Sequence, residues 1–131
     1  VDVFAFCSNR AYGIPAPSNL AAGSTIDIYW AWFARTEEQV RQHIDAATHE
    51  LRINGVLIEN VNQFRTRVRR SAGEGSDFVT YWYVPFGPLT AGNYEITYTV
   101  SWARQITDGY LYYGPGTSIP FEQERCTFTV R

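Results

Sequence analysis

The chain has 131 residues, of which 45% are hydrophobic and 18% charged, a balance that excludes disorder and fits one domain with a sizeable core. A formal net charge of −2 gives no global attraction to nucleic acid or to an anionic membrane, and no run approaches the roughly 18 apolar residues of a membrane span. Aromatic content is the outlier at 16%, with nine Tyr, eight Phe and four Trp, side chains that suit half-buried sheets and adhesive surfaces alike.

Val3, Phe4, Ala5, Phe6 and Cys7 read as a first strand. The start at Val1, without an initiator methionine, reads as a processed or excised product. Residues 8–23, with Pro15, Pro17, Gly13 and Gly23, form a long crossover loop. Residues 24–33 then alternate, with Ile26, Ile28, Trp30 and Trp32 on one face, a strand whose two tryptophans enter the core.

At residue 36 the period changes. Thr36 with Gln39 forms a capping box, Glu37 and Glu38 favour the positive helix start, and Val40 with Ile44 make one apolar stripe. A short helix over residues 36–44 is predicted, burying little and leaving His43 and the nearby His49 facing solvent. Asn54-Gly55 between apolar runs is a hairpin signal, since a type I′ turn needs positive φ at both positions.

Residues 64–70 alternate again, with Phe64, Thr66 and Val68 inward and Arg65, Arg67 and Arg69 outward, Arg70 extending the charge. After a turn over residues 71–77, the run Phe78 to Val84 pairs antiparallel with this arginine strand, which sets the guanidinium groups up to stack on Tyr81 and Tyr83. The best-patterned run follows. Tyr94, Ile96, Tyr98, Val100 and Trp102 alternate with Glu95, Thr97, Thr99 and Ser101, the mark of a strand with one dry and one wet face. A loop over residues 107–116 carries Tyr110, Tyr112 and Tyr113 between Asp108-Gly109 and Gly114-Pro115-Gly116, either as a recognition surface at one end of the sandwich or folded back over that open end. Residues 126–130 close the chain as a last strand.

Cys7 and Cys126 lie near opposite ends, in the first and last strands, which neighbour one another in many sandwiches. A disulfide between them would close a loop of 119 steps (126 − 7), with roughly 4–5 kcal/mol of stabilisation in the chain-entropy model. The other reading is a pair of buried free thiols. Zinc-ligand spacing, the alternating Asp of a calcium loop and a nucleophile elbow are all missing from the sequence, so no metal, cofactor or catalytic residue is expected. The paired acids Glu37/Glu38, Glu74/Asp77 and Glu122/Glu124 have ordinary explanations in capping, turn chemistry and edge protection.

Leu89-Thr90-Ala91-Gly92-Asn93-Tyr94 leads the patterned strand with a Leu-x-x-Gly-x-Tyr turn. In this the chain resembles the fibronectin type III and bacterial immunoglobulin-like families, whose penultimate strand opens in the same way. The resemblance is best over the last 45 or so residues. It implies that Tyr94 is a structural corner, its hydroxyl bonding the backbone upstream. The helical insert and cysteines at the ends, in place of cysteines across the two sheets, depart from the pattern, and no family active site carries over.

The expected protein is all-β: a single immunoglobulin-like antiparallel β-sandwich of about seven to nine strands over residues 1–131, with one short helical insert. Its expected role is a non-catalytic extracellular or cell-surface module, structural or contacting other protein chains, copies of itself included. The candidate surface is Arg65, Arg67, Arg69, Tyr110, Tyr112 and Tyr113. A carbohydrate-binding module with exposed Tyr or Trp stacking on a polysaccharide is the alternative, and a secreted enzyme the third.

Overall fold

The computed structural model describes residues 1–73 and 77–131. Two four-stranded sheets pack face to face. One has the order β1 (Asp2–Phe4), β2 (Ile26–Ala34), β6 (Phe78–Phe86), β5 (Arg69–Arg70). The other has the order β10 (Phe121–Val130), β7 (Gly92–Trp102), β3 (Ala47–Ile53), β4 (Val56–Ile58). A small hairpin of β8 (Ile106–Thr107) and β9 (Tyr112–Tyr113) lies between β7 and β10 in the chain. The eight strands of the two sheets make the expected sandwich.

Alternation decides which side of each strand is dry. From β2, Ile26, Ile28, Trp30, Trp32 and Ala34 are buried, and from β6 so are Thr80, Trp82 and Val84. The facing sheet contributes Ile96, Tyr98, Val100 and Trp102 of β7, with Cys126, Phe128 and Val130 of β10 and Leu51 and Ile53 of β3. All four tryptophans are therefore core residues. Asn54 and Gly55, at φ 50° and 81°, make the predicted turn between β3 and β4. The Asn54 side chain then accepts from the Glu95 N–H at 2.8 Å, fixing the hairpin to β7.

Tyr94 is the expected corner. Its hydroxyl donates to the Thr90 carbonyl at 2.8 Å and accepts from the Thr90 N–H at 3.1 Å, locking the turn that leads into β7. β10 runs beside β7 along its whole length and forms the sheet edge, where Glu122 and Glu124 fall.

Several expectations change. The sheets are not antiparallel throughout, because β1 runs parallel to β2, Val3 opposite Ile28. β1 also ends at Phe4, not Cys7: the chain leaves the first sheet at Ala5, whose N–H bonds the Tyr29 carbonyl, and reaches the second at Ser8, whose N–H bonds the Arg125 carbonyl. The Cys7–Cys126 disulfide, with Cα atoms 4.7 Å apart, sits at that crossing and ties the turn after β1 to β10. It therefore joins the crossover turn, not the first strand itself, to the last strand.

The arginine strand is mostly irregular. Residues Val61–Phe64 form a 3-10 turn, Arg65 makes one isolated bridge to Trp82, and regular pairing with β6 covers only Arg69–Arg70. The antiparallel direction is as expected. Of the turn over residues 71–77, Glu74, Gly75 and Ser76 lie outside the described residues.

The helix α1 (Glu37–Ala46) has its capping box in place, Thr36 and Gln39 bonding reciprocally, but it buries Val40, His43 and Ala46. Neither histidine faces solvent. His43 continues the Val40 stripe three residues on, and His49 alternates with Leu51 and Ile53 on the dry face of β3.

Candidate aromatic cleft and sheet face

β1 covers only the first half of β2. Where it stops, a cleft of about 470 Å³ opens between the β2 edge and the facing sheet. Trp32, His43, Tyr98, Val100 and Tyr113 line its interior, and Phe4, Phe6, Tyr12 and Ile14 stand on the side where the chain crosses over. Tyr29, Ala31, Phe33 and Tyr81 form the lip toward the outer face of the first sheet. Among the described residues of the lining, Asp108 and Glu122 carry charge.

The interior is a packed aromatic assembly. His43 stacks on Trp32, and Tyr113 meets the same indole edge-on at 4.8 Å. The indole N–H of Trp102 donates to Nδ1 of His43 at 2.9 Å, which leaves the proton of a neutral imidazole on Nε2. His49 Nδ1 and the Tyr98 hydroxyl are hydrogen-bonded at 2.7 Å. Burial holds His43 well below the ordinary histidine range, with the neighbouring His49 adding to the effect, and pushes His49 down to about 4. Both rings are neutral at pH 7. The Trp32 indole N–H is buried and has no partner among the described residues.

Acidic groups gather on the β10 wall. Burial, then Glu124 and Asp108, raise the Glu122 carboxyl above its usual range. Asp108 is fully engaged: it accepts from the Tyr113 hydroxyl and from the N–H groups of Tyr110 and Leu111, at 2.8–2.9 Å. Burial and that Asp108 contact push the Tyr113 hydroxyl well up. Gly109, at φ 93°, leaves room for the stem of Arg35, whose guanidinium reaches over the Tyr110 ring at 5.6 Å.

The three loop tyrosines therefore part company. Tyr113 is buried against the cleft, Tyr112 is exposed, and Tyr110 is exposed but tied by its hydroxyl to Asp77 at 3.0 Å. Asp77 accepts from Ser71 at the end of the arginine segment, so the tyrosine loop and that segment meet here. The arginines part as well. Arg65 folds back onto the Thr66 carbonyl and the Thr80 hydroxyl, while Arg67 stays exposed. Arg69 lies over Tyr81 at 5.2 Å, the predicted stacking, and Arg70 lies over Phe78 at 4.6 Å.

The outer face of the first sheet, which should be wet, is aromatic. Tyr29 of β2 lies opposite Tyr83 of β6, Ala31 opposite Tyr81, and Phe33 opposite Val79. Tyr81 and Tyr83 are near parallel at 5.7 Å, Tyr29 meets Tyr83 at 5.8 Å, and Phe4 meets Tyr29 at 5.3 Å. Of this face, only Tyr81 and Tyr83 were expected from the sequence as partners of the arginines, and the cleft was not expected. The alternation had put Trp30 and Trp32 inward, and the same parity puts Tyr29, Ala31 and Phe33 outward, so the signal for the face was present. The cleft depends on where β1 leaves its sheet, which no local pattern encodes.

No protein-family model, curated protein or solved structure matches the chain. The disulfide suggests an oxidising compartment, and no helix among the described residues is long and apolar enough to cross a membrane.

Proposed function

We propose that this chain is a non-catalytic extracellular interaction module, immunoglobulin-like in style, that docks onto protein chains through the outer face of its first sheet. The carrying observation is the row Tyr29, Tyr83, Tyr81 and Phe33 on the side of a sheet that a free-standing domain keeps polar. Tyrosine and arginine are the residues that interface centres favour, and Arg69 lies over the end of the row.

A second copy is the occupant the charges favour. Asp2 and Asp27 share this face near Pro85, at one end of β6. Arg69 lies opposite Val79, at the other end. The separation is six residues of β6, about 20 Å. A two-fold axis near Tyr81 and Tyr83 brings Arg69 of each copy onto Asp2 and Asp27 of the other, the self-complementary arrangement an isologous dimer requires.

Sedimentation equilibrium tests this reading. The wild-type chain is expected to self-associate, more weakly at high salt, and the Tyr81→Ser/Tyr83→Ser variant to sediment as a monomer of unchanged fold. A wild type that stays monomeric at high concentration, with or without salt, counts against it.

A further inference from the structure

The second half of β2 is an unpaired strand edge. Backbone groups along a strand point alternately to its two neighbours. On β2, the odd-numbered residues point away from β6: the Asp27 N–H bonds Val1, the Tyr29 carbonyl accepts from Ala5, and the Arg35 N–H bonds Asp108. Ala31 and Phe33 share that parity. Their N–H and C=O groups have no backbone partner on this side among the described residues, because the chain has already crossed to Ser8 and the second sheet. Both residues line the cleft.

We propose that the β2 edge between Tyr29 and Arg35 takes an extended peptide of another chain, added as a strand beside β2, with alternate side chains entering the cleft and a basic one facing Glu122. This goes beyond the sheet-face reading, since it uses a strand edge and an interior. Three observations select the occupant. Free donors and acceptors at Ala31 and Phe33 repeat every two residues, about 6.6 Å, which is the repeat of an extended main chain. The lining is mainly apolar and aromatic, so it suits the inward side chains of such a strand. The charges of the cleft are both acidic, with Glu124 close by, so a cationic segment is attracted and an acidic one repelled.

The probe is acetyl-Thr-Val-Thr-Arg-Thr-Val-Thr-amide, whose two Val and single Arg share one face of an extended strand, added to the full chain while amide exchange is followed by NMR. Exchange at the Ala31 and Phe33 amides is expected to slow by roughly tenfold or more on binding, and the Trp32 indole signal to shift. A peptide N-methylated at alternate amides, and one with Glu in place of the Arg, are expected to lose the effect. The Ala31→Pro variant removes an edge N–H that no neighbour uses, and proline is tolerated on such edges; it is expected to fold and not to bind. If it fails to fold, the N-methylated peptide on the wild type decides.

Peptide-induced shifts at Tyr81 and Tyr83 with Ala31 and Phe33 unprotected would overturn the edge proposal and leave the sheet-face reading standing. So would a Trp32 shift with a soluble polysaccharide but not with the peptide. Self-association lost in sedimentation, with Ala31 and Phe33 still protected by peptide, would do the reverse. Absence of protection at any peptide concentration overturns the proposal outright.

Discussion

His43 lies flat against Trp32, ring centroids 3.9 Å apart and planes 1° from parallel, while Trp102 holds its Nδ1 from the other side. A helix that the sequence pattern marks as a minor insert thus carries a central core residue. The ring is packed as an aromatic and must stay neutral to remain so, since a buried cation without a partner is costly.

Acid stability follows from this. His43 and His49 are both depressed in the folded state, so below the ordinary histidine range the unfolded chain binds more protons than the folded one. Stability is complete above about pH 6.5 and falls with pH through the window from there to about 4. Each histidine contributes a slope of up to about 1.4 kcal/mol per pH unit. Denaturant titrations at pH 7.5, 6, 5 and 4 check this: the midpoint is expected to drop steadily below pH 6.5. A midpoint flat from pH 7.5 to 5 would mean that both histidines are charged or solvated in the fold.

The disulfide spans a sequence separation of 119 and ties the turn after β1 to β10. The Cys7→Ala/Cys126→Ala variant is expected to lose roughly 4–5 kcal/mol by the chain-entropy estimate, enough to unfold a domain of ordinary stability at 37 °C. Thermal melts of the oxidised, reduced and double-variant proteins provide the measurement. Equal melting temperatures would show that the crossing at Ser8 and Arg125 holds without the staple.

The Tyr94 hydroxyl makes two bonds to the Thr90 backbone. Tyr94→Phe keeps the ring on Phe128, 5.4 Å away, and removes those bonds together with the 3.1 Å contact between the Tyr94 and Thr90 hydroxyls. A loss of about 1 kcal/mol is expected by chemical denaturation, with no effect on association. A neutral substitution would make the corner incidental to the turn.

The strands with strict alternation, β2 and β7, were legible residue by residue, as were the Asn54-Gly55 turn, the Thr36 cap and the Tyr94 corner. Each is a local pattern whose physical cause lies within a few residues. The arginine segment shows the opposite case. Its period of two was real, but Arg65 is drawn back onto Thr66 and Thr80, and only Arg69–Arg70 pairs regularly with β6. The histidines were legible in principle, through the Val40–His43 stripe and the His49–Leu51–Ile53 alternation, but a polar residue type outweighed its position. The candidate surface was half visible: Arg69 stacks as the pairing implied, whereas Tyr113 turns inward and the aromatic row beside Arg69 is assembled across β2 and β6. The cleft was not visible at all, since it is the space left when β1 departs early.

Removal of the charge at one end of the sheet face isolates its contribution. Arg69→Ser is expected to weaken self-association severalfold at low salt and much less at high salt, because exposed charge pairs are screened within about 10 Å at 0.1 M. Sedimentation at two salt concentrations reads it directly. An effect independent of salt would assign Arg69 to ring packing on Tyr81 alone.

The most direct test is tyrosine labelling of the native, assembled material alongside its sedimentation. Tyr110 and Tyr112, exposed at 62% and 59%, serve as internal standards. An assembly larger than one chain is expected, with Tyr29, Tyr81 and Tyr83 protected relative to those standards and the protection lost on dissociation. Native material that sediments as a single chain, with Tyr81 and Tyr83 labelled equally before and after dilution, would contradict it.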